Sequence, residues 1–177
     1  MGVVYRAHDE QLGRDVALKL LPSETVGSED ARSRLLQEAR TASALTHPHI
    51  CHIYEAGQAD GNVYIAMELL AGQVLSEAIP PQGLPLGTLV RIGMQIAEAL
   101  THAHGKGVIH RDLKANNIMI TPEGRAVILD FGLAKTERAV EEGSPESLSI
   151  TSTSTNVVMG TPTYLSPVEF ERAAGSA

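Results

Sequence analysis

A two-lobed α+β fold is predicted by three features of the chain. Residues 1–68 read mainly as strands around one helix. Residues 73–130 carry the most regular amphipathic helix and a short strand pair, and residues 136–160 are rich in Ser and Thr. Strands that precede helices in this way bury their apolar faces in separate layers. The expected division is a small β-rich lobe over 1–68, a hinge at 69–72 and a mainly helical lobe over 73–177.

The first strand signal is Val16-Ala17-Leu18-Lys19-Leu20-Leu21, which Pro22 ends. Alternation sets Ala17 and Lys19 on one face and Val16, Leu18 and Leu20 on the other. A helix is expected over 28–45, with Ser28 as N-cap, Glu29 and Asp30 in the first turn and an apolar stripe of Leu35, Leu36, Ala39 and Ala42. Residues 50–56 and 62–68 read as paired strands joined at 57–61. Prolines and a glycine break 79–85. The clearest helix runs over 86–104, with Leu89, Ile92, Ile96, Leu100 and Ala103 at helical spacing and Gly105 and Gly107 as stops. Strands at 118–121 and 126–129 flank a turn at Pro122-Glu123-Gly124.

Composition narrows the function classes. A net charge of -7 leaves no clustered Lys and Arg for a phosphate backbone, so no nucleic-acid partner is expected. The single cysteine, Cys51, has no internal disulfide partner and suits a reducing compartment, so the expected location is cytoplasmic. No apolar run approaches the roughly 20 residues of a membrane span, and residues 1–177 are expected to hold no membrane segment. His47, His49, Cys51 and His52 fit no zinc-ligand spacing, and on a strand His49 and Cys51 would face away from His52.

Chemistry concentrates in His110-Arg111-Asp112-Leu113-Lys114-Ala115-Asn116-Asn117 and in Asp130-Phe131-Gly132. These stretches offer a carboxylate, an ammonium group two residues on, and two further oxygen-bearing side chains. Phosphoryl transfer to a hydroxyl asks for such a set, because its loose transition state needs placement and charge neutralisation more than a strong base. Together with Val16-Ala17-Leu18-Lys19 and Gly160-Thr161-Pro162-Thr163-Tyr164, they resemble a eukaryotic-like serine/threonine protein kinase domain in its bacterial form. The resemblance runs from residue 1 to about 167 and implies a protein-kinase-like fold.

That resemblance implies transfer of the ATP γ-phosphoryl group to Ser/Thr hydroxyls of protein substrates, with ATP and Mg²⁺ as cofactors. Asp112 would accept or orient the hydroxyl proton, and Lys114 would reach the γ-phosphoryl. Lys19 would hold the α- and β-phosphates, itself held by Glu38; taken alone, each would be an ordinary surface charge. Asn117 and Asp130 would ligate Mg²⁺. Gly2 and Val4 match the last glycine and the valine of the phosphate-covering loop. Val4, Ala17 and Met119 would sandwich adenine, Met67 would guard the back of its pocket, and Glu68 and Leu70 would offer backbone groups to the purine edge. His110 and Phe131 read as packing residues.

Regulation is implied in an activation loop over about 130–167. Arg111 and Lys135 would receive a phosphate carried by Thr151, Ser152, Thr153, Ser154 or Thr155, and Thr161 would bond the catalytic Asp and Lys. The chain departs from the family pattern at both ends. The first strand and the opening glycines would lie before Met1. Val168 stands where the family has a glutamate after Ser166-Pro167, Glu169 falls one position late, and the helical half that would cover residues 86–104 is not expected within residues 1–177. A catalytically inactive kinase fragment or binding module therefore stays open, as does a small-molecule phosphotransferase of kinase-like fold.

Overall fold

The computed structural model describes residues 3–21 and 28–131. Four antiparallel strands open it: β1 (Val3–Asp9), β2 (Arg14–Leu21), β3 (Ile53–Ala59) and β4 (Asn62–Glu68), in the order β1-β2-β4-β3. The strand β1 was not among the sequence expectations, although Val3-Val4-Tyr5 carries a β signal. Asp9 closes the β1–β2 turn, its Oδ1 accepting the N–H groups of Gln11 and Leu12 at 3.2 and 3.1 Å.

Register decides which side chains meet. Val4 lies opposite Lys19, and Ala17 lies opposite Met67. With a side-chain period of two, Val4, Ala17, Lys19, Leu21, Val63, Ile65 and Met67 share one face. The predicted alternation in β2 holds, and the Lys19 face is the inner one, with Leu21, Val63 and Ile65 buried there.

Helix α1 (Glu29–Ser43) covers this face. Ser28 caps it by accepting the Ala31 N–H at 3.3 Å, satisfying one of the orphan donors of the first turn. Ala31, Leu35, Ala39 and Ala42 recur at helical spacing and are buried. Burying one such leucine contributes roughly 2 kcal/mol.

Two expectations shift around β3. The turn is the pair Asp60-Gly61, both at positive φ, and Gly57 stays inside the strand. A Cβ there would come within 2.8 Å of the Tyr64 hydroxyl, so glycine lets the ring lie across it. Residues Ile50 and Cys51, expected in the same strand, leave the sheet. Ile50 forms a parallel bridge with Ile128, Cys51 N–H donates to Ile128 O at 2.9 Å, and Ile128 N–H donates to His49 O at 2.9 Å. The connection after α1 is thus fastened to the second lobe because its backbone groups find partners there.

Beyond residues 69–72 come β5 (Gln73–Val74) and α2 (Leu75–Ala78), both short and neither expected. Helix α3 (Leu86–Gly105) follows. Ile92, Ala99 and Ala103 are buried, Ile96 and Leu100 are partly buried, and Gly107 at φ 73 ends the helical run. Leu89, placed in the buried stripe by spacing, is exposed; so are Leu86, Val90 and Met94 on the same side. No helix among the described residues is long and apolar enough to cross a membrane. A 3-10 turn (Ala115–Asn117) leads into β6 (Ile118–Ile120), and β7 (Ala126–Ile128) pairs with it antiparallel, giving a sheet β5-β6-β7. One apolar core runs through both lobes, from Leu35 and Ile65 to Ala103, Val127 and Phe131.

Candidate active site

Asp130, in one chemistry-bearing stretch, meets Lys19 at the junction of the lobes, and His110 and Asn117 of the other are bonded to Leu129 beside it. Lys19 is 7% exposed, a burial that an ammonium group tolerates only with anionic partners. Its Nζ donates to Asp130 Oδ2 at 3.3 Å. Asp130 follows β7 with φ 54, and Arg111 in the loop after α3 has φ 66. Left-handed backbone costs an L-residue about 1–2 kcal/mol, so neighbouring contacts must hold both conformations.

His110 provides such contacts. Its Nε2 lies 2.8 Å from Leu129 O, and its Nδ1 lies 3.3 Å from the Asp112 N–H. Those partners select the neutral tautomer with the proton on Nε2. Burial holds the His110 pKa below its ordinary value, outweighing the nearby Asp130 and Asp112 carboxylates that act the other way. Phe131 packs edge-on against its ring, with centroids 4.8 Å apart. The packing expected of His110 and Phe131 is present, and His110 also anchors the backbone on both sides of the site.

Asp112 is the hub. Lys114 Nζ stands 2.8 Å from its Oδ2. Asn117 Nδ2 donates to the Asp112 carbonyl at 2.8 Å and to its Oδ2 at 3.3 Å, which makes the Asn117 amide oxygen the end open to ligation. The 3-10 turn sets Asn117 at this reach: its N–H donates to Lys114 O, and Leu129 N–H donates to Asn117 O at 2.8 Å. The loop bearing Asp112 and the strand before Asp130 are thereby joined.

Glu38, on α1, accepts from Arg111 Nη1 at 3.3 Å. This contact between the first-lobe helix and the loop after α3 was not anticipated, because nothing in the local pattern of either residue points to the other. Met67 is buried at the back of the shared face, Ala17 and Leu70 are partly buried against the same core, and Glu68 ends β4. Val4 is exposed at the sheet edge opposite Lys19. Met119 sits on β6 between Val74 and Val127. Gly2, Lys135, Thr151, Ser152, Thr153, Ser154, Thr155 and Thr161 lie outside the described residues.

Among the described residues no cluster of three or more His, Cys, Asp or Glu could hold a metal alone. The Asn117 and Asp130 oxygens form a sparse, hard donor set. That suits Mg²⁺, which takes one or two protein oxygens and completes its shell with water and substrate phosphates.

Residues 1–173 match a family model described as the protein kinase domain. The serine/threonine-protein kinase pkn3 of Myxococcus xanthus is 41% identical over 99% of this chain and 32% of its own length. PknA of Mycobacterium tuberculosis is 38% identical over 99% of this chain and 39% of its length. The PknI kinase domain of M. tuberculosis superposes with a TM-score of 0.69 at 33% identity, covering 76% of this chain and 54% of that one. The chain belongs to the protein kinase domain family. It spans about a third of the length of these curated relatives.

Proposed function

We propose that the chain carries the ATP- and Mg²⁺-dependent transfer of a γ-phosphoryl group to Ser or Thr hydroxyls of proteins. The observation that carries this reading is that the Lys19–Asp130 contact and the Asp112–Lys114–Asn117 cluster, from three separate stretches of sequence, are joined by the bond from Leu129 N–H to Asn117 O. Both relatives named above are described as serine/threonine-protein kinases. Cytoplasm, where ATP is supplied and the buried Cys51 thiol stays reduced, is the proposed location.

Asp112 accepts or orients the proton of the attacking hydroxyl. Its carboxylate is steered by Asn117 Nδ2 and by Lys114, which also meets negative charge on the transferring group. Lys19 neutralises the α- and β-phosphates, and Glu38 helps to fix its long side chain. Asn117 and Asp130 hold Mg²⁺, which when bound neutralises phosphate charge and favours in-line geometry. Ala17, Val4 and Met119 line the adenine site, with Met67 behind it and the Glu68 and Leu70 backbones at the purine edge; Gly2 belongs to the loop over the phosphates. Arg111, now against Glu38, and Lys135 receive a phosphate added at Thr151, Thr153 or Thr155, and Thr161 supports Asp112 and Lys114.

The test is incubation of the chain with Mg²⁺ and γ-labelled ATP, followed by phosphoamino acid analysis. Label on Ser or Thr that is lost in Asp112→Asn supports the reading. Label that persists in Asp112→Asn, or none in the wild type, contradicts it.

A further inference from the structure

Arg125 ties the lobes together without touching the proposed reaction centre. It sits in the β6–β7 turn, where Thr121 N–H donates to Arg125 O at 2.9 Å and Arg125 N–H donates to Thr121 Oγ1 at 3.3 Å. From this fixed base the guanidinium reaches two places in the first lobe. Nη1 donates to Pro48 O at 2.6 Å, and Nη2 lies 3.9 Å from Glu68 Oε1. The other Glu68 oxygen lies 3.5 Å from His52 N–H, while Glu68 N–H donates to His52 O at 2.9 Å. One side chain therefore joins the turn, the connection after α1 and the last residue of β4.

The guanidinium is suited to this because its planar fork can address a carbonyl and a carboxylate together, which an ammonium group cannot do in a fixed geometry. Half-buried and long, the Arg125–Glu68 pair has little weight as a stability device. Its effect is on placement. The same hairpin carries Met119 on β6, with Asn117 just before β6 and Asp130 just after β7. Glu68, at the other end of the tie, is the last residue of β4 and leads into the hinge.

We infer that Arg125 is a positioning residue for nucleotide: acting through Glu68 and Pro48, it fixes the hinge backbone relative to the hairpin bearing Met119, Asn117 and Asp130. This rests on the proposed function, since it concerns the same nucleotide site. Arg125 meets no substrate atom. Its loss misplaces the hinge against the hairpin and weakens nucleotide binding, while Asp112 and Lys114 stay in place.

The experiment is steady-state ATP kinetics on the full chain, paired with hydrogen exchange in the absence of nucleotide. Arg125→Ala raises KM for ATP about fivefold or more, at the low end of ordinary coupling between sites, and leaves kcat within about twofold. Arg125→Lys, which keeps a donor for Pro48, recovers part of the loss. In a Glu68→Gln background, Arg125→Ala adds less than it does alone. Without nucleotide, the Glu68 and Cys51 amides exchange faster in Arg125→Ala than in the wild type. An unchanged KM, a loss confined to kcat, full additivity with Glu68→Gln, or wild-type exchange rates each overturn the inference. A wild type that neither binds ATP nor transfers phosphate overturns the proposed function and the nucleotide role with it, and the exchange arm then reports separately on the tie.

Discussion

Lys19 Nζ lies 3.3 Å from Asp130 Oδ2, although 111 positions separate them in the chain. The contact joins the inner face of the four-stranded sheet to the end of β7, and so joins the two lobes at the point where phosphate charge is proposed to sit. Replacing Lys19 by Met keeps much of the side-chain volume and removes the cation. The expected result is a folded protein whose ATP kcat/KM falls at least 100-fold, comparable to losing one preorganised electrostatic group. Steady-state kinetics beside a thermal melt check it.

Gly72, in the hinge, makes a prediction about the fold. It has φ 147, and a Cβ there would stand 2.2 Å from the Ile120 carbonyl oxygen. That neighbour is backbone in β6 and cannot swing aside. Gly72→Ala is expected to destabilise the protein by about 2–4 kcal/mol, through both strain and displacement of β5 from β6. A lowered urea midpoint would show this; an unchanged midpoint would mean the hinge runs elsewhere.

His110 predicts a pH dependence. Its pKa in the fold lies below the ordinary 6.5 because burial disfavours the imidazolium. Unfolded protein therefore binds the proton more readily, and stability falls as pH drops through 6.5 toward the lower folded value. His47, also held low by burial and then by the charges of His102 and His49, acts in the same direction. His110→Asn should flatten the loss of stability below pH 6.5, leaving the part due to His47. Denaturant midpoints measured from pH 7.5 to 5 give the slope. Protonation of the folded protein would also break the bond from Asp112 N–H to Nδ1, so activity should fall only at lower pH, as the depressed folded pKa is reached.

Cys51 is predicted to be inert. Burial pushes its thiol pKa up to about 12, with Glu68 and Asp130 adding to the effect. Thiolate is the reactive form, so labelling by a thiol reagent at neutral pH should require unfolding. Rapid modification of the native protein would show that the connection around residues 50–52 opens.

Much of this was legible in the sequence because it rests on local pattern. The Ser28 cap, the α1 stripe and the alternation around Lys19 follow from periodicity and capping. The site residues were proposed for another reason: the stretches around Lys19, Asp112 and Asp130 resemble a protein kinase domain, and that resemblance points to them. What stayed hidden depends on contacts across the lobes. Ile50 and Cys51 pair with Ile128 instead of extending β3, since their backbone groups are satisfied there. Glu38 meets Arg111, and Arg125 meets Pro48 and Glu68, between segments whose local patterns are silent about each other. Leu89 was placed in the core by spacing, yet it lies on the exposed side of α3.

The most direct test is single-turnover transfer of the ATP γ-phosphoryl group by wild type and Asp112→Asn, with nucleotide affinity measured alongside. The account predicts a rate lower by about 10²–10⁴ in the variant at nearly unchanged ATP affinity, the usual weight of a positioned acid–base group. Equal rates in the two proteins would show that the carboxylate at the hub of this site does not serve the transfer.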